Sequence, residues 1–168
     1  MIIEILSDIK SYSNEKYAVH HAKYFQTHKG GYGEGDIFWG LRQNEIAAIV
    51  AKYWKNLPLI NIQELLASPV HEVRSAGLGI LCRKMLKASA KEQKKIYDIY
   101  MSNLAAVNNW DLVDCSAPNI IGAYLYKKRA VRYMAAGRVW CHMARENCCA
   151  CHSVFYKTRG LSTDTGAC

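Results

Sequence analysis

No stretch of this chain alternates apolar and polar residues strictly enough to form a strand, whereas apolar residues recur at three- and four-residue spacing along nearly all of it. A pattern of that period covers one stripe of a helix, so the chain can bury its apolar side chains only by packing helix against helix. Ile2, Ile5, Leu6 and Ile9 mark one stripe, and Ile46, Ile49, Val50 and Tyr53 mark another. Ser68-Pro69 reads as a cap followed by a first helical position, which predicts a helix from Pro69 to about Lys87. A further helix is predicted from Glu92 to about Leu104, carrying Ile96, Ile99, Tyr100 and Leu104. Asn108 or Asn109 caps the next, which runs toward Tyr126 with Pro118 bending or restarting it. Such helices joined by short turns predict an all-α protein of helix pairs stacked in a curved array, any repeat being degenerate.

At 168 residues the chain is long enough for one sizeable core. No apolar run approaches membrane-spanning length, and the first residues carry Glu4 and Asp8 with no basic lead, unlike a signal peptide. The expected location is cytoplasmic, with no membrane partner. Lys and Arg exceed Asp and Glu to give a net charge of +8, which favours a polyanionic partner such as nucleic acid without requiring one. Of the seven cysteines, Cys82 and Cys115 stand alone in helical patterns, where the residue behaves as a small buried apolar group. The other five crowd the last stretch with His142 and His152. A structural zinc wants two ligand pairs, and only Cys148-x-x-Cys151 is a clear one, so no metal is expected.

The loop Gly30 to Asp36, GGYGEGD, lacks the Gly-Lys-Ser/Thr ending of a phosphate cradle and follows no strand, so it reads as a connecting turn. Arg83, Lys84, Lys87, Lys91, Lys94 and Lys95 form one basic cluster, and Lys127, Lys128, Arg129 and Arg132 a second. Each reads as a solvated helix face unless both line one concave surface. Trp110 and Asp114 are harder to dismiss. Spaced four apart on a helix, they stack one turn from each other on one face. Asp111 near the helix start reads as structural, but Asp114 lies beyond the capping positions in an apolar stretch, where a carboxylate needs a partner or a purpose.

Three segments, YFQTHKGGYGEGDIFWGLR, SPVHEVRSAGLGIL and NNWDLVDCSAPNIIGAYL, resemble in order and spacing the DNA alkylation repair family of AlkD-like DNA glycosylases, over roughly Tyr17 to Tyr133. Asn44 departs mildly from the family pattern, where a proline is usual. The resemblance implies an α-α superhelix of HEAT-like helical repeats whose basic concave face holds duplex DNA. It implies excision of N3- or N7-alkylated purines without drawing the base into a pocket, unlike base-flipping glycosylases. By the same resemblance Asp114 is the catalytic aspartate, Trp110 packs against the lesion nucleotide, and Tyr24 contacts the lesion region. Lys127, Lys128 and Arg129 are the expected DNA-backbone contacts. The expected partner is duplex DNA carrying alkylated purines, bound by a monomer that uses no cofactor. A non-catalytic HEAT-like module that binds DNA or protein is the alternative.

The family pattern also contains a Trp-x-x-Arg element, but three residues after Trp140 comes Met143. Read one nucleotide later, the codons of Met143 and Ala144 spell tryptophan, and those of Glu146 and Asn147 spell lysine or arginine. Shifted Cys148, Cys149 and Cys151 codons spell valine or alanine. The segment from about Arg138 to Arg159 therefore reads as out of frame, with a divergent metal-binding tail as its rival. The expected organisation is a helical repeat domain over 1–137 and an anomalous, poorly packed cysteine-rich segment over 138–168. The expected fold is then a truncated solenoid, weak or inactive in excision.

Overall fold

The computed structural model describes residues 1–126. The chain divides into two compact units, Met1–Tyr124 and Leu125–Cys168, and the first is the subject below. The boundary expected at 137/138, the cysteine-rich segment and the second basic cluster lie outside the described residues.

The described residues are all-α. In order they form α1 (Ile2–Ser11), α2 (Glu15–Tyr24), α3 (Gln43–Tyr53), α4 (Leu59–Leu66), α5 (His71–Lys87), α6 (Ala90–Ser102), α7 (Trp110–Ala117) and α8 (Ala123–Tyr126). A short 3₁₀ turn, Leu104–Ala106, precedes α7, and a π-helical turn, Pro118–Gly122, follows it. The nearest approach to a strand is a parallel backbone bridge between Ile37 and Val70. No described helix is long and apolar enough to cross a membrane.

The period-3.6 stripes become the core. Ile5 and Ile9 are fully buried, and at about 2 kcal/mol for each fully buried isoleucine they hold α1 in place. Ile46, Ile49, Val50 and Tyr53 are buried together on α3. The centre of the unit is α5, which packs against α3, α4, α6 and α7. Gly79 makes part of that possible: a Cβ there would lie 2.8 Å from Cγ2 of Val50 on α3. Tyr100 of α6 is fully buried, and its hydroxyl meets Oγ of Ser116 on α7 at 3.0 Å.

Two helix starts differ from expectation, each for a local reason. The helix expected from Pro69 begins at His71, because the backbone before it is committed to Ile37: the Pro69 carbonyl accepts from Ile37 N–H at 3.2 Å, and Val70 is the cap. The helix expected from Glu92 begins at Ala90, where Ser89 and Glu92 form a reciprocal capping box. The helix expected from Asn108 or Asn109 toward Tyr126, with Pro118 bending or restarting it, has Asn109 at its cap position and is interrupted at the proline. There α7 ends at Ala117, Pro118 opens the π-helical turn, and α8 follows to Tyr126. Proline removes a donor from the ladder, and a wider turn accommodates that loss.

Candidate functional site

Asn14 caps α2, its Oδ1 accepting the Tyr17 N–H at 3.3 Å, and the helix delivers an exposed Tyr24 and then Phe25 at its C-terminal end. The glycine-rich segment that follows folds back over this end. Gly33 is required there, since a Cβ would stand 2.2 Å from the Phe25 carbonyl oxygen. This return places the Tyr32 hydroxyl between two partners. It accepts from the indole Nε1–H of Trp110 at 3.1 Å and donates to the carbonyl of Tyr24 at 3.2 Å. Trp110 is the first residue of α7, and its ring tilts against Tyr24 at 6.2 Å and Phe25 at 5.8 Å between centroids. Two of the three expected lesion-contacting residues, Tyr24 and Trp110, are thus in contact.

Beneath the rings lies a charged layer. Phe25 stacks on Phe38 at 5.2 Å, and Phe38 on the His71 imidazole at 4.5 Å. His71 Nε2 meets Asp111 Oδ2 at 2.8 Å, and its Nδ1 meets Asp36 Oδ2 at 3.3 Å. The Arg74 guanidinium donates to Asp36 Oδ1 at 2.8 Å, to Asn108 Oδ1 at 3.0 Å and to the carbonyls of Ser68 and Ala106. Asn108 in turn donates to Asp36 Oδ1 at 2.7 Å. The side chains of Asp36 and His71 are each 4% exposed and that of Arg74 5%, so these charges are out of water and must balance locally. Burial pulls the His71 pKa down, but hydrogen bonds to Asp111 and Asp36 outweigh it and raise the value above the ordinary one. Burial likewise pushes Asp36 up, yet hydrogen bonds from His71 and Asn108 and the Arg74 charge hold it below the usual carboxylate range. The result is two acids against two bases.

A second buried carboxylate anchors the next loop. Glu72 accepts the backbone N–H groups of Trp39 at 3.0 Å, Gly40 at 2.8 Å and Leu41 at 3.3 Å. The first turn of α5 therefore fastens both the end of the glycine-rich segment and the start of the approach to α3.

Asp114 stands one helical turn beyond Trp110 and is exposed. It makes no hydrogen bond or ion pair among the described residues. Desolvation, and then the neighbouring Asp111 charge, raises its pKa above the ordinary carboxylate value. Asp111, by contrast, is the structural member of the pair, spent on His71, as its position near the helix start implies. Two adjoining cavities of about 240 and 300 Å³ open between α3, α5 and α7, sharing Gln43, Ile46 and Ser75 in their walls. Cys82 and Cys115 both line the first. They are not isolated core residues: Cys115 is exposed, and Cys82 Sγ lies 3.7 Å from the Cys115 carbonyl. Burial, then proximity to Cys115, pushes the Cys82 thiol up to about 12, so it stays protonated. Among the described residues no group of three His, Cys, Asp or Glu side chains is placed to hold a metal ion.

The glycine-rich segment does more than connect, since it supplies Tyr32 and Asp36. Neither those residues nor His71, Arg74 and Asn108 stood out in the sequence. The available signal was His71, Glu72 and Arg74, ionisable residues gathered at the start of a helix whose middle, from Ala76 to Cys82, is apolar. The expected contacts Lys127, Lys128 and Arg129 lie outside the described residues.

The sequence pattern of one protein family, described as DNA alkylation repair enzyme, matches residues 5–147. No curated protein and no solved structure matches the chain.

Proposed function

The chain belongs to the DNA alkylation repair enzyme family, and from that premise we propose that it excises N3- and N7-alkylated purines from duplex DNA by hydrolysing the N-glycosidic bond without flipping the base. In this reading the fold is an array of HEAT-like repeats acting as a cytoplasmic monomer, with Lys127, Lys128 and Arg129 among its phosphate contacts.

The observation that carries the reading is an exposed carboxylate, Asp114, with no ion pair among the described residues, one turn from a tryptophan that touches exposed Tyr24. An N-alkylated purine is cationic and departs as a neutral base, so the leaving group needs little acid assistance. What the reaction develops is positive charge on the sugar. A carboxylate whose own charge is uncompensated, and disfavoured by burial and by Asp111, gains most when such a charge forms beside it. His71 holds Asp111 aside, which leaves Asp114 as the free acid of α7. Asp114 would also orient the attacking water. The rings of Trp110 and Tyr24 suit a cationic base, because an aromatic face attracts positive charge.

The test is Asp114→Asn. Losing one such electrostatic contact costs on the order of 3 kcal/mol in the barrier, about a hundredfold in rate. Release of 7-methylguanine from methylated duplex should fall by that factor in single-turnover assays, while duplex affinity, which rests on Lys and Arg, stays nearly unchanged. Equal rates for parent and variant would reject the role of Asp114. Duplex binding with no release by the parent would point to the non-catalytic module.

A further inference from the structure

The Tyr32 hydroxyl has one proton to donate, and it is committed to the Tyr24 carbonyl; the indole N–H of Trp110 occupies a lone pair. A hydroxyl so engaged is placed to hold its neighbours rather than to exchange protons with a substrate. We infer that Tyr32 is a positioning residue, which fixes the orientation of Trp110, ties it to Tyr24, and so sets the aromatic surface against which an alkylated purine is read.

The need for such a tie follows from the geometry. Trp110 is only partly buried and meets Tyr24 and Phe25 at interplanar angles of 59° and 41°, tilted contacts rather than flat stacks. Tyr24 is 57% exposed and Tyr32 43%, so packing alone fixes neither ring. Cation–π attraction depends on presenting the ring face within about 6 Å of the charge. A single hydrogen bond at the indole edge restrains the ring, and the second bond of the same hydroxyl refers the indole to the backbone of α2. Gly33 is what lets the segment come close enough for Tyr32 to reach both.

This inference rests on the alkylated-purine reading for its functional half and on the indole contact for its structural half, and the two are tested separately. In the full chain, the Trp110 indole resonance, identified among the four tryptophans by its loss in Trp110→Phe, should exchange slowly with solvent. Tyr32→Phe should shift that resonance and speed its exchange. It should also reduce the preference for a duplex bearing one N7-methylguanine over the same unmethylated duplex by about fivefold, the worth of one neutral hydrogen bond, with affinity for the unmethylated duplex unchanged. The double variant should lose no more preference than Trp110→Phe alone, because Tyr32 acts through Trp110. A fast-exchanging Trp110 indole in the parent, or an unmoved resonance in Tyr32→Phe, overturns the positioning role. A Tyr32→Phe protein that keeps the full preference overturns its part in recognition. A parent without any preference instead sinks the alkylated-purine reading, and the indole signal still decides what Tyr32 holds.

Discussion

Asp36, His71, Arg74 and Asp111 form a layer in which every charge has a partner of opposite sign, and the consequence of removing one is calculable. Taking away Asp36 leaves the buried Arg74 guanidinium without an ion pair among the described residues and His71 with Asp111 alone. Breaking a buried pair from one side costs about 3–5 kcal/mol, because the orphaned charge stays desolvated. The exposed pair Lys94–Asp98 is the control, since water and salt screen such surface pairs and little stability rests on them. Urea unfolding should therefore place Asp36→Ala far below Asp98→Ala in stability, and comparable losses would mean that the buried layer holds nothing together. At this scale the placing of Trp110 and Asp114 one turn apart on α7 was legible from their spacing, and Tyr24 was singled out only through the resemblance. The roles of Tyr32 and Asp36 were not readable, because residues in a glycine-rich run look like turn chemistry whatever they later touch. Trp110 lies 78 positions from Tyr32, and the side-chain partners of Asp36 lie 35 to 72 positions away.

At the scale of elements, the closest approach worth testing is that of α3 and α5. A Cβ at position 79 would lie 2.8 Å from Cγ2 of Val50, closer than carbon atoms approach. Alanine would gain about 1 kcal/mol in helix propensity over glycine. Against this stands overpacking, typically about 1–3 kcal/mol, and valine cannot swing aside because its χ1 is fixed in a helix. Gly79→Ala should thus destabilise by about 1 kcal/mol net. Val50→Ala should relieve the clash, so that chemical denaturation finds the double variant more stable than the sum of the two single losses implies. Additive losses would place the contact elsewhere. Element type was legible where a helix shows the core one face, as α1 and α3 do, because the 3.6-residue stripe records it. By contrast α2 buries no residue and α5 is buried around much of its circumference, so neither writes such a stripe. Boundaries were legible only where a cap acts locally. Ser89 with Glu92 carries a local capping signal that the expected start at Glu92 passed over, whereas the start of α5 is decided by Ile37, and no local pattern carries that information.

For the molecule as a whole, the titrating groups set how stability varies with pH. Asp36 has a depressed value in the fold, so its contribution is complete above its unfolded value near 3.9 and is lost as pH falls through the lower, folded one. His71 has a raised value, so its contribution is complete below about 6.5 and is lost as pH rises through the folded one. His21, half-buried beside Glu72, is shifted the other way: burial depresses it, with Glu72 opposing, so its contribution is lost on acidification below about 6.5. The two windows do not overlap: His21 lowers stability as pH falls below about 6.5, and His71 lowers it as pH rises above that value. Stability from urea unfolding should decline as pH rises above about 6.5 and His71 gives up its proton. A flat profile there would mean that His71 is neutral between its two carboxylates.

Asn108 reaches Asp36 across 72 positions of chain, and Asp111 reaches His71 across 40. The order of synthesis gives those spans a meaning. A chain growing from its N-terminus makes Asp36, His71 and Arg74 first, and in that interval two positive groups face one carboxylate. Balance arrives only with Asn108 and Asp111, and the same short stretch brings Trp110 and Asp114. The residues that quiet the interior are the immediate neighbours of those that face outward, so a nascent chain has no finished core before it also has its candidate site.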